Sequence, residues 1–141
     1  MTKILLVEDD RGIVANLTEF LTAEGYDVIN ASGQAAALEA LESGRFDLVL
    51  LDISLSDGNG FAVCSAVKSL YHIPVIFLTA SGDEYITVTG FELGADDYIP
   101  KPFRPRELVS RIRNVLRLTG GAGSVIRLGE VEVVTVMGVA A

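Results

Sequence analysis

Cysteine is nearly absent: Cys64 stands alone among 141 residues, so no internal disulfide can form and the composition suits a reducing cytosol. Long apolar runs are missing too. No segment approaches the roughly 20 apolar residues of a membrane span, and MTKILLVEDD holds too short an apolar stretch for a signal peptide, so a cytoplasmic protein without membrane contact is expected. Basic residues are scarce, with 11 Lys and Arg against 19 Asp and Glu and a net charge of -8. Phosphate backbones demand a basic surface, so nucleic-acid binding by this stretch itself is disfavoured. A cationic partner or a metal fits the balance better.

What the chain does have is apolar residues, 50% of the total, enough for one domain with a substantial core plus a short appendage. Short runs rich in Val, Ile and Leu recur at Ile4 to Val7, Asp47 to Leu51 and Pro74 to Leu78, with weaker ones at Tyr26 to Ala31 and Asp97 to Ile99. Runs without alternation indicate strands covered on both faces. Helical stripes lie between and after them: Ile13, Val14, Leu17, Phe20 and Leu21; Ala37, Leu38 and Leu41; Cys64, Val67 and Tyr71; a weaker one over Asp83 to Leu93; and Leu108, Ile112, Val115 and Leu116. Five β-α repeats predict a doubly wound α/β fold with a five-stranded parallel sheet.

Residues 7 to 10 read VEDD, three carboxylates at the end of the first strand. Neighbouring carboxylates repel and raise one another's pKa values, so the cluster calls for a cation. In open α/β sheets, sites form beyond the carboxyl ends of the strands. There the first strand ends in Glu8, Asp9 and Asp10, the third in Asp52, the fourth in Thr79 and Ala80, and the fifth leads to Lys101. In the order 2-1-3-4-5 the first and third strand ends are about 5 Å apart, which lets Asp9 and Asp52 share a cation. Oxygen donors with positions left to water suit Mg²⁺. Asp10 stands just before RGIVANL and reads as the cap of the first helix.

LLVEDD, DLVLLDISLSDGNGF, VIFLTA and GADDYIPKPF together resemble the receiver domain of two-component response regulators, in register from residue 3 to about 118. GADDY followed by KPF and PRELV resembles in particular the OmpR/PhoB subfamily, whose members carry a winged-helix DNA-binding domain after the receiver. The resemblance implies a flavodoxin-like receiver fold and a role for each matched residue. Asp52 is implied as the phosphoacceptor, taking phosphoryl from a sensor histidine kinase. Mg²⁺, with Mn²⁺ as a substitute, is implied at Glu8, Asp9, Asp52 and the Ser54 carbonyl, with Glu8 acting through water. Thr79, Ala80 and Lys101 are implied to bind the phosphoryl group, and Thr79 with Tyr98 to form the switch. Pro102 is implied to fix Lys101 through a bond that is often cis. Asp97, Glu107 and Arg111 are implied on a dimer face built from the fourth helix, fifth strand and fifth helix. The expected activity is that of a switch, with self-phosphorylation and self-dephosphorylation its only chemistry.

Two departures from the family pattern qualify this. Ser56 replaces a usual proline, so a looser loop is expected after Asp52. Thr87 replaces a basic residue that pairs with the position of Glu107 across the homodimer, so only weak association is expected.

Other functions fit less well. A haloacid-dehalogenase-type hydrolase also uses Asp, Thr or Ser, Lys and Mg²⁺, but it needs a D-x-D motif early in the chain, and here the sequence is DIS with the acids first. A dinucleotide site needs a Gly-rich turn where this chain reads VEDDRG. His72 reads as a surface residue, and Cys64 as packing on a helix face. The predicted organisation is a receiver over 1–119, a Gly-rich linker over 120–124 and a strand-like tail over 125–141 that resembles the opening of a winged-helix domain. The chain thus reads as a receiver cut from a transcription factor shortly after its linker, with DNA bound only through a further C-terminal domain.

Overall fold

The computed structural model describes residues 1–79, 88–89 and 91–118. Its first elements are β1 (Lys3–Val7), α1 (Arg11–Ala23), β2 (Asp27–Ala31), α2 (Gln34–Ser43) and β3 (Leu48–Asp52). A two-residue antiparallel ladder then joins β4 (Ser54–Leu55) to β5 (Gly58–Asn59) ahead of α3 (Gly60–Ala66). Strands β6 (Val75–Thr79) and β7 (Asp97–Pro100) follow, and the arginine-rich helix Pro105–Leu118 comes last. The main sheet is parallel throughout and ordered β2-β1-β3-β6-β7, which is 2-1-3-4-5 once the small ladder is left uncounted.

Alternate residues of each central strand serve opposite layers, which is why these strands are apolar without interruption. Ile4, Leu6, Leu50, Ile76 and Leu78 pack with Leu17, Leu21, Leu108 and Ile112 on one side. On the other, Leu5, Val7, Val49, Leu51 and Phe77 pack with Ala37, Leu41, Val63 and Cys64. Each such burial stabilises the fold by about 1.5–3 kcal/mol, so this two-sided core fixes the register of the strand ends. At the edge, β2 alternates exposed and half-buried residues up to the buried Ala31.

Local signals explain the boundaries. Asp10 caps α1 as expected, its Oδ1 accepting from the Gly12 and Ile13 N–H groups at 2.9 and 3.1 Å. The third and fourth main strands start one residue later than predicted. Asp47 turns its carboxylate back onto the Lys3 N–H at 2.8 Å, and Pro74 has no N–H to give to a ladder. The helix expected around Cys64, Val67 and Tyr71 is α3 continued by a π-helical turn, Val67–Tyr71, that closes on left-handed His72. Cys64 is buried and His72 exposed, both as expected. Of the helix expected over Asp83 to Leu93, residues 88–89 and 91–92 are helical. The remainder of that helix as far as 87, with Ala80 and Thr87, lies outside the described residues, as do the linker and tail at 120–141. Arg104 precedes the last helix, accepting from the Leu108 N–H through its carbonyl. No helix among the described residues is long and apolar enough to cross a membrane.

Candidate functional site

The parallel register β1 to β3 ends at Val7 with Leu51, so the next residues, Glu8 and Asp52, emerge side by side on the rim. Glu8, Asp9 and Asp52 each bring a carboxylate oxygen within 4.8 Å of the others, and among the described residues this is the one group of three or more acids or other metal donors so arranged. Glu8 and Asp52 are buried, Asp9 half-buried.

Lys101 supplies the opposing charge. Its Nζ lies 2.9 Å from Glu8 Oε1 and 3.6 Å from Asp52 Oδ1. Its backbone N–H donates to the Thr79 carbonyl, and the bond to Pro102 is cis, as the resemblance implied. The second Glu8 oxygen accepts from the Asp10 N–H at 3.1 Å. Burial first, and then the Glu8 carboxylate beside it, push Asp52 up to about 6, against the pull of Lys101 and the Ser54 N–H. Three carboxylates facing one lysine leave an excess of negative charge in a partly desolvated place. Hard oxygen donors in that condition fit a divalent cation such as Mg²⁺.

The loop after Asp52 carries contacts that the sequence did not disclose. The Ser54 N–H donates to Asp52 Oδ1 at 3.4 Å, and the Ser56 N–H to Asp9 Oδ2 at 3.2 Å. The Ser56 contact uses a backbone N–H that proline lacks, so the loop expected to be looser for want of proline is instead bonded to the acid cluster. Gly60 lets the chain fold back beneath Asp52, because a Cβ there would collide with the Asp52 carbonyl oxygen. The second glycine in SDGNGF was the signal available for that close approach.

Thr79 is buried at the end of β6, and Tyr98 is partly buried, packed against the core on the Phe77 side of the sheet. Asp97, Glu107 and Arg111 come together within the chain: Arg111 Nη1 is 2.9 Å from Asp97 Oδ1 and Nη2 is 3.3 Å from Glu107 Oε2. Of the expected site residues, the structure therefore brings Lys101 into contact with Glu8 and Asp52, sets Asp9 within 4.8 Å of both acids, and places Ser54 and Thr79 alongside.

A family model described as the response regulator receiver domain matches residues 4–113. This chain belongs to that family. The receiver is similar to the transcriptional regulatory protein CpxR of Escherichia coli (strain K12), 50% identical over 117 residues that cover 83% of this chain and 50% of the relative. It is also similar to the DNA-binding response regulator MtrA of Mycolicibacterium smegmatis, 40% identical over 132 residues, covering 93% of this chain and 58% of the relative. The chain thus spans about half the length of these curated relatives. Among solved structures, a CheY-like receiver domain protein from Methanospirillum hungatei superposes with a TM-score of 0.81 at 32% identity, covering 84% of this chain and 96% of that one. The family makes the receiver a signalling switch domain of a two-component system.

Proposed function

We propose that the receiver accepts a phosphoryl group on Asp52 from the phosphohistidine of a sensor kinase and passes the change to an output. The observation that carries this reading is the position of Lys101 Nζ, shared between Glu8 and Asp52 beside Asp9. A buried, cation-neutralised carboxylate at a strand end is a nucleophile held ready on a rigid support. In the transfer the nitrogen–phosphorus bond of the donor breaks, an Asp52 oxygen–phosphorus bond forms, and the electron pair returns to the imidazole. Glu8, Asp9, Asp52 and the Ser54 carbonyl are the groups that would hold Mg²⁺. Mg²⁺ there would neutralise charge on the transferring group.

The chain's own residues do the rest. Lys101 can exchange its contact with Asp52 for a phosphoryl oxygen, acting as a point charge on a fixed stem. Thr79 stands buried at the next strand end, where its hydroxyl would turn to the phosphoryl group after transfer, and Tyr98 responds behind it. That movement is the proposed switch, a population shift on the face next to β7 and the arginine-rich helix.

The finer assignment is to the OmpR/PhoB-like subfamily, with transcription as the output through a winged-helix domain after the receiver. Supporting this, CpxR is a transcriptional regulator and MtrA a DNA-binding one by name, and the MtrA match covers 93% of this chain, more than residues 4–113. Under this reading residues 125–141 begin the output domain. The test of the central claim is mass spectrometry after incubation with acetyl phosphate and Mg²⁺. One phosphoryl group should appear on the wild type and none on Asp52→Asn, whereas undiminished labelling of the variant refutes the assignment.

A further inference from the structure

The loop that follows Asp52 is fastened to α2, a contact outside the site's own strands. α2 lacks a side-chain cap of its own, because its N-cap position is Gly33. Asp57, an exposed residue of the loop, takes that place. Its Oδ1 accepts from the Gln34 N–H at 2.8 Å and its Oδ2 from the Ala35 N–H at 3.1 Å, which satisfies two of the helix's unpaired donors. Gln34 returns the contact, its Oε1 accepting from the Asn59 N–H at 3.2 Å. Glycine at 33 makes the approach possible, since a Cβ there would collide with the Asp57 carboxylate.

The other side of the same loop faces the acids. Ser56, the residue immediately before Asp57, gives its N–H to Asp9 Oδ2 at 3.2 Å. Anchoring Asp57 on α2 therefore restrains the loop one residue beyond the Leu55–Ser56 peptide whose N–H meets Asp9, and the β4–β5 ladder ties Ser54 and Leu55 into the same unit. Among the described hydrogen bonds, this is the one held by the Asp9 carboxylate. Charge-assisted bonds to a ligand's second oxygen orient the ligand and tune the site.

We propose that Asp57 is a positioning residue for the cation site: by capping α2 from the loop it holds the Ser56 N–H on Asp9 and so sets the Asp9 carboxylate beside Glu8 and Asp52 before a cation binds. This rests on the reading of those three carboxylates as the Mg²⁺ site. A residue that only capped α2 would add stability to the helix and leave cation affinity alone.

The test is Mg²⁺ titration of the metal-free full chain by NMR, without any phosphodonor, on wild type, Asp57→Ala and Asp57→Asn, with melting temperatures measured alongside. Asp57→Ala should bind Mg²⁺ about tenfold more weakly, and its Ser56 amide signal should shift before any metal is added. Asp57→Asn keeps one acceptor oxygen and should fall between the two; if Asp57→Ala does not fold, the comparison of Asp57→Asn with wild type carries the test. A folded variant with a lowered melting temperature but Mg²⁺ affinity equal to wild type overturns the proposal and leaves Asp57 a helix cap only. Failure of the wild type to bind Mg²⁺ would instead overturn the cation site on which the proposal stands.

Discussion

Lys101 Nζ lies 2.9 Å from Glu8 Oε1, joining two residues 93 positions apart across the rim of the sheet. Glu8 is 1% exposed, so its carboxylate has almost no access to water, and Lys101 is the cation that offsets the loss.

Replacing Lys101 by methionine keeps the packing of the stem and removes the charge. Breaking one partner of a buried pair leaves the other uncompensated, so Lys101→Met should destabilise the metal-free protein by about 3 kcal/mol. Adding Glu8→Gln to that variant should recover part of the loss. Urea unfolding of the two single variants and the double in EDTA gives the coupling between the residues. A Lys101→Met variant as stable as the wild type would mean the pair contributes nothing.

The raised pKa of Asp52 has a definite sign in stability. Between its ordinary 3.8 and about 6, the folded chain binds more protons than the unfolded one, so stability falls as pH rises through that window. The loss is complete above the folded value and is on the order of 3 kcal/mol. Asp52→Asn carries no ionisable group there, so it should be the more stable protein at neutral pH and lose that advantage near pH 4. Mg²⁺ favours the carboxylate and should shrink the difference. Parallel pH profiles of unfolding for the two proteins in EDTA would contradict the burial argument.

Arg111 holds Asp97 at 2.9 Å and Glu107 at 3.3 Å within one chain. A dimer that used the same three groups would have to exchange these pairs for intermolecular ones, gaining little net charge compensation. The unphosphorylated chain should therefore sediment as a monomer or a weak dimer. Because the pair is partly exposed, Arg111→Ala should cost less than about 1 kcal/mol. A tight dimer in the absence of phosphate would refute the expectation.

Among the described residues, Val115 and Leu116 are the last that the arginine-rich helix, Pro105–Leu118, gives to the core. Deleting residues 120–141 should leave both Asp52 labelling and the melting temperature unchanged. A fall in either after the deletion would place the domain boundary later than 119.

What the amino-acid sequence determined by itself was whatever depends on near neighbours or on periodicity. Uninterrupted apolar runs at Ile4 to Val7 and Pro74 to Leu78 implied strands covered on both faces, and Asp10 ahead of RGIVANL implied a helix cap, because a cap acts within three residues. The acids at strand ends were legible because parallel order brings every carboxyl end to one rim. Only the tertiary structure decided which of these groups meet. Lys101 pairs with Glu8, Asp57 caps a helix that starts 23 positions earlier, and Ser56 donates a backbone N–H to Asp9. Such contacts depend on the height at which loops leave the sheet, and packing across the whole core sets that height. Hydrogen bonds from backbone N–H groups also carry no residue signature, so no reading of side chains could have announced the bond between Ser56 and Asp9.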